Sequence, residues 1–211
     1  MRVTSKTETM AGPEASTSDD AVRMRIVAGA RQHFFAHGFR GVTMDDLAVE
    51  LRMSKKTLYV HFPSKTALLE AVLRDKLARA EAALRGALAN GEFADQLKAL
   101  LACVRDMTEE IQPPFVRDMQ REASDLFAVV QAGRGRLIQQ YFGQLLSAGQ
   151  KAGRIRKDVR TEFMIDMLIG AVNAVMTPTR MMELGMTPKA GFAKVIDLFL
   201  NGVATEERKG K

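Results

Sequence analysis

The sequence predicts an all-α fold: an N-terminal three-helix bundle with a helix-turn-helix, plus a larger C-terminal helical bundle, about nine helices in all. Three observations lead there. Apolar residues recur at spacings of three and four along the 211 residues, and no stretch alternates as a strand does. Gly and Pro clusters such as Asn90-Gly91 and Pro113-Pro114 punctuate the periodic segments. Between Gly38 and Lys65 two short periodic segments are separated by a tight break, the spacing of a helix-turn-helix.

The elements follow in order. Residues 1–18, rich in Thr, Ser and acidic side chains, are expected to form a disordered arm. A first helix is expected from about Asp20 to His37, with Val22, Ile26, Ala30, His33 and Phe34 on one face and Gly38 as its stop. Gly29 lies on or beside that face, where it costs about 1 kcal/mol against alanine. Thr43 caps the second helix, with Asp46 placed to reach back, and Met44, Leu47, Ala48 and Leu51 face inward. Ser54 caps the third, which opens Lys55-Lys56-Thr57 and turns Leu58 and Phe62 toward the core. A fourth helix starts after Ser64 and runs without Pro or Gly to residue 85, long enough to be shared by both halves.

Beyond Asn90-Gly91 a helix is expected over 92–110, then a short one after Pro113-Pro114 to about Ala123. One long helix from Ser124 to Gly149 follows, weakened by Gly133 and Gly135. A basic loop spans Lys151 to Arg160, and the most apolar helix covers Phe163 to Met176. An irregular region around Pro178 leads to a last helix from Pro188 to Leu200. The organisation expected is a helix-turn-helix domain at 19–73, a second domain at 74–204, and a disordered tail at 205–211.

Composition narrows the function classes. A formal charge of +6 permits a nucleic-acid partner without demanding one. The single cysteine, Cys103, excludes an intrachain disulfide framework, fits a reducing cytoplasm, and sits in an apolar run that favours an inert thiol. No run reaches eighteen apolar residues, so no membrane helix is expected. The three histidines, His33, His37 and His61, form no metal-ligand or catalytic spacing, and no glycine-rich phosphate loop occurs. No enzyme activity and no cofactor are expected.

Side-chain chemistry concentrates on the third helix. Ser54, Lys55, Lys56 and Thr57 occupy its exposed start, where N–H groups and side chains can meet phosphates and base edges. Tyr59 and His61 can donate to phosphate just past it, Lys65 at the next helix start, and Thr43 from the other side. Without a partner, the same residues read as a solvated helix face with two ordinary caps. That reading needs a single rigid surface to collect donors and cations by coincidence.

Residues 20–73 resemble the DNA-binding domain of the tetracycline-repressor-like (TetR/AcrR) transcriptional regulators. The likeness is carried by FFAHGFRGVTMDDLAVELRMSKKTLYVHFPSKTALLEAVL: an aromatic pair, His-Gly-Phe, Ser-Lys-x-Thr-Leu-Tyr, and x-His-Phe-x-x-Lys. The resemblance implies DNA contacts at Thr43, Ser54, Lys55, Lys56, Thr57, Tyr59, His61 and Lys65, with Val60 near bases. Two departures stand out. Arg52 replaces the usual turn glycine and is placed to add a phosphate contact, and Lys56 stands where a small residue is frequent. The C-terminal half is similar only loosely, chiefly at AGRIRKDV (Ala152 to Val159).

The resemblance further implies a homodimer on double-stranded operator DNA, released by a small-molecule effector. Its dimer interface is expected at Leu168, Ile169, Val172, Phe192, Val195, Ile196 and Phe199, which equally suit an ordinary core. Its effector pocket is expected among Leu101, Val104, Met107, Phe115, Met119, Phe127, Tyr141, Phe142, Met164, Met167 and Met176. Thirteen methionines suit an adaptable apolar pocket as well as a plain core. The alternatives are a ligand-independent DNA-binding regulator and an all-α interaction module that binds no DNA.

Overall fold

Ten helices make up the described chain, which in this computed structural model covers residues 13–175 and 178–204. They are α1 (Pro13–His37), α2 (Met44–Glu50), α3 (Lys55–His61), α4 (Lys65–Ala87), α5 (Phe93–Glu109), α6 (Pro113–Glu122), α7 (Ser124–Lys151), α8 (Thr161–Val175), α9 (Pro178–Glu183) and α10 (Pro188–Val203). The all-α expectation holds for the described residues, where the only extended pairing is a bridge between Ile155 and Ala204. Three boundaries differ from expectation. The first helix begins at Pro13 rather than near Asp20, because proline suits a first helical turn. The region around Pro178 forms α9 by the same rule, and α7 runs past Gly149 to Lys151. The arm at 1–12 and the tail at 205–211 lie outside the described residues.

The chain divides into two units. The first comprises the chain through Lys76 together with Ile111–Leu126, so it includes α6 beside the helix-turn-helix. Ile26, Ala30, Phe34 and Phe35 of α1 are buried with Leu47, Leu58, Phe62, Leu68, Leu69 and Val72. Each such large side chain contributes about 1.5–3 kcal/mol on leaving water. Gly29 lies in direct contact range of the Leu51 side chain, so an added Cβ would collide with it and the glycine lets α2 approach. The C-terminal end of α1 is covered by α6: Phe35 meets Phe115 edge-on at 4.9 Å, and the Gln112 N–H donates to the Phe35 carbonyl at 3.1 Å.

The second unit holds Leu77–Glu110 and the chain from Phe127 onward. Its core joins Leu84, Leu97, Leu100, Tyr141, Phe142, Leu145, Leu146, Met164, Ile165 and Leu168 with Val195 and Ile196 of α10. The two glycines that weaken α7 on propensity differ in surroundings. A Cβ on Gly133 would meet Leu77 at 2.9 Å, whereas nothing lies within 4 Å of one on Gly135. The basic loop after α7 is internally paired. Arg156 meets Asp158, Arg154 meets Glu92 at 3.1 Å, and the Gln150 amide donates to the carbonyls of Arg156 and Val159 at 2.8 Å each. The Cys103 thiol lies 3.6 Å from the Ala83 carbonyl oxygen, and burial raises its pKa, which keeps it protonated and unreactive.

Candidate nucleic-acid interface

The reading surface is built from two caps and a tight turn. The Thr43 hydroxyl accepts from the Asp46 N–H at 3.1 Å, while the Asp46 carboxylate accepts from the Thr43 N–H at 2.9 Å and its hydroxyl at 2.7 Å. This reciprocal capping box fixes where α2 starts and lowers the Asp46 pKa, chiefly through the Thr43 side chain. At the other end the Met53 N–H donates to Ala48 and the Arg52 N–H to Val49, both at 3.0 Å. That pairing is a Schellman motif, with Arg52 in its left-handed position at φ 50°. Ser54 then caps α3, accepting from the Thr57 N–H at 3.0 Å.

These constraints hold α3 with Leu58 and Phe62 buried and the opposite face outward. Ser54, Lys55, Lys56, Tyr59 and Val60 are exposed, Val60 at 72%, and Thr57 is half-buried. Lys55 is held by Asp45 at 2.5 Å. Arg52 and Thr43 are exposed at the two ends of α2.

His61 is placed otherwise than expected. Its side chain is only 8% exposed and turns toward α1, with Nδ1 3.6 Å from the Asp19 carboxylate. Arg23 donates to the His61 carbonyl at 3.0 Å and lies over the Phe62 ring at 4.3 Å. The expectation of a phosphate donor gives way because the end of α3 packs against α1. Lys65 is half-buried, its ammonium 4.4 Å from the Phe39 ring centroid and 3.4 Å from the Arg40 carbonyl. Burial lowers its pKa, against an opposing pull from Glu122, Asp118 and Asp46. Arg40, Asp118 and Glu122 carried no role in the sequence, because nothing there brings α6 beside residue 40.

Residues 26–72 match the family model described as bacterial regulatory proteins, tetR family. Over 196 residues the chain is 24% identical to the HTH-type transcriptional regulator UidR of Escherichia coli (strain K12), spanning 90% of this chain and 96% of UidR. The helix-turn-helix region thus carries the N-terminal domain of the tetR family of bacterial regulatory proteins. The likeness is to DNA-binding transcriptional regulators rather than to enzymes. The chain is also 25% identical over 155 residues to the HTH-type transcriptional repressor DhaR of Mycobacterium sp. (strain GP1), covering 71% of this chain and 78% of DhaR. Among solved structures, that of a SmeT–triclosan complex superposes with a TM-score of 0.64 at 18% identity, covering 89% of this chain and 93% of that one, a likeness of fold.

The residues expected to line an effector pocket are divided between the units. Phe115 and Met119 are buried in the first unit, where α6 packs on α1. In the second unit Tyr141, Phe142 and Met164 are buried core, Leu101, Val104 and Met107 pack partly buried against it, and Phe127 is half-buried. Met167 is 57% exposed, and Met176 lies outside the described residues.

The expected interface residues are buried or half-buried in the chain. Leu168, Val195 and Ile196 are buried within the chain, and Ile169, Val172, Phe192 and Phe199 pack against them. The exposed apolar strip of α8 is a different face. Phe163, Asp166, Met167, Gly170, Ala171 and Ala174 line an open groove, and Leu198 of α10 is exposed as well. Because α8 is apolar nearly all round, periodicity alone could not tell its inward face from its outward one.

Proposed function

We propose that this TetR-family protein is a homodimeric, ligand-responsive repressor that leaves its operator when a small lipophilic molecule binds. The observation that carries the DNA-facing part is the outward array of Ser54, Lys55, Lys56, Tyr59 and Val60, set against the buried Leu58 and Phe62. On this reading α3 lies in the major groove, with Lys56 and Tyr59 on phosphates and Val60 against base methyl groups. Thr43, Arg52 and Lys65 flank it as backbone contacts. The functional division is a DNA-binding domain over 19–73 and an effector and dimerisation domain over 74–204, acting in the cytoplasm.

The dimer reading rests on the α8 groove, whose small residues at 170, 171 and 174 permit close approach of a second copy between Phe163 and Met167. Two-fold symmetry would then present two α3 helices to half-sites one turn of DNA apart, about 34 Å. The effector reading draws support from the SmeT structure, which holds triclosan, and the repressor reading from DhaR, which carries that name. Helix α4 starts in the helix-turn-helix unit and continues to Ala87 without a break. A ligand that favours one position of α4 would lower DNA affinity by its differential affinity for the two states.

Selecting bound fragments from the source genome and measuring affinity for them with and without apolar ligands tests the proposal. Two-fold symmetric sites, with affinity lowered by at least one ligand class, are expected. Binding that no ligand alters would leave a constitutive regulator, and sites lacking symmetry would oppose the dimer.

A further inference from the structure

Arg40 lies in the loop before α2, three residues from Thr43, with a side chain 79% exposed. Its backbone is fixed at both ends. The Arg40 N–H donates to the Asp118 carboxylate at 2.9 Å, and its carbonyl accepts from the Lys65 ammonium at 3.4 Å. Gly38 leaves room for that carboxylate, since an added Cβ there would lie 2.5 Å from Asp118 Oδ2. The guanidinium, by contrast, is held among the described residues only by Glu122 of α6, Nε to Oε1 at 3.7 Å, on a carboxylate 40% exposed. The backbone around Arg40 is thus rigid, while its charge is tethered by a weak surface pair that a stronger anion can displace.

We infer that Arg40 is a further DNA-phosphate contact and that Glu122 of α6 competes with the phosphate for it. This rests on the DNA-binding reading above. A guanidinium matches phosphate with paired donors and is more weakly hydrated than an ammonium, so it exchanges one oxyanion for another at little cost. The Lys65 ammonium reaches the Arg40 carbonyl, so a second cation lies against the loop that carries Arg40. Glu122 serves there as a brake on phosphate binding: while the pair is closed its carboxylate occupies the guanidinium, and a phosphate must displace it.

The test is a double-mutant cycle on the full chain, with mixed-sequence duplex DNA as probe, since phosphate contacts do not depend on the operator. Affinity is measured across a salt series for the wild type, R40Q, E122Q and the double variant. R40Q is expected to weaken binding and to flatten the slope of log affinity against log salt by about 1. E122Q is expected to tighten binding by roughly two- to five-fold, and to do so only while Arg40 is present. An E122Q effect of equal size in the R40Q background would reduce Glu122 to a distant charge and overturn the inference. So would R40Q with unchanged slope. A wild type that shows no salt-dependent association with duplex would overturn the DNA-binding reading itself, which separates the two failures.

Discussion

The Arg25 guanidinium of α1 donates to the carbonyl oxygen of Leu51, the last residue before Arg52 turns left-handed. The turn between α2 and α3 is therefore held from outside as well as by its own Schellman bonds. That explains how a non-glycine residue is accommodated at φ 50°. An L-residue there costs about 1–2 kcal/mol, part of which glycine returns through its greater freedom in the unfolded chain. Arg52→Gly is expected to raise stability by about 0.5–1 kcal/mol, a rise in Tm of roughly 2–3 °C for a chain of this size. The same variant should bind DNA more weakly, with a shallower salt slope. Thermal unfolding beside a salt-titrated binding assay reads both, and a stability gain with DNA affinity intact would remove Arg52 from the interface.

Lys55 and Lys56 are adjacent but unequal. Asp45 holds Lys55 at 2.5 Å and must be displaced before that ammonium can meet a phosphate. Lys56→Ala is expected to cost more DNA affinity than Lys55→Ala, and to flatten the salt slope by about 1, while stability shifts by less than about 0.5 kcal/mol. The reverse ranking, measured by fluorescence anisotropy, would count against the orientation given to α3.

Local chemistry made the helix-turn-helix readable from sequence. Thr43 with Asp46, Ser54 with Thr57, and the inward positions of Leu47, Leu58 and Phe62 follow from capping and helical spacing, which act within a few residues. What was lost is long-range. Nothing local brings α6 against α1, so Phe115 was assigned to a pocket rather than to Phe35, and Glu122 and Arg40 went unremarked. His61 was read outward because the sequence does not show that α1 extends back to bring Asp19 beside it. In α8 both faces are apolar, so Leu168 and Met167 were indistinguishable until the α10 contact was known.

The capping box predicts an acid-side dependence of stability. Folding holds the Asp46 pKa below its ordinary 3.8, mainly through the Thr43 hydroxyl. Its contribution is fully present above that unfolded value and is lost as pH falls through the lower folded one. Thr43→Val removes the hydroxyl partner and should flatten the stability–pH curve below about pH 4 relative to the wild type. Parallel curves for the two proteins, followed by helix signal in urea, would show that the cap contributes no linkage.

Two glycines of α7 are expected to respond to alanine with opposite signs. Gly135 has nothing within 4 Å of an added Cβ, so Gly135→Ala should gain up to about 1 kcal/mol from helix propensity alone. At Gly149 the Cβ would lie 2.6 Å from Phe93 Cε2 and 2.7 Å from Ile155 Cγ1. Overpacking of that kind costs about 1–3 kcal/mol and outweighs the propensity gain. Urea midpoints should move up for the first variant and down for the second. Two increases would mean that Phe93 and Ile155 shift freely.

The sharpest test of the dimer proposal is Met167→Glu. The side chain is 57% exposed in the isolated chain, so the change should leave the fold of each copy intact. Placed between two copies of α8, however, the carboxylate would face its symmetry mate across a groove walled by Phe163, Gly170, Ala171 and Ala174, adding to the charge of Asp166 already there. Two like charges brought together out of water are strongly unfavourable, and nothing cationic in that groove offsets them. Sedimentation should therefore show a dimer for the wild type and a monomer for the variant at the same helix content. Operator affinity should fall with it, because each half-site contact would then form separately instead of at the high effective concentration a dimer provides. As a comparison, Leu168→Ala removes a side chain buried in the chain's own core, so it should lower the unfolding midpoint by an amount fitting about 2–5 kcal/mol while leaving the dimer in place. If Leu168→Ala splits the dimer and Met167→Glu does not, the interface lies on the face first expected from sequence, and the groove has another use.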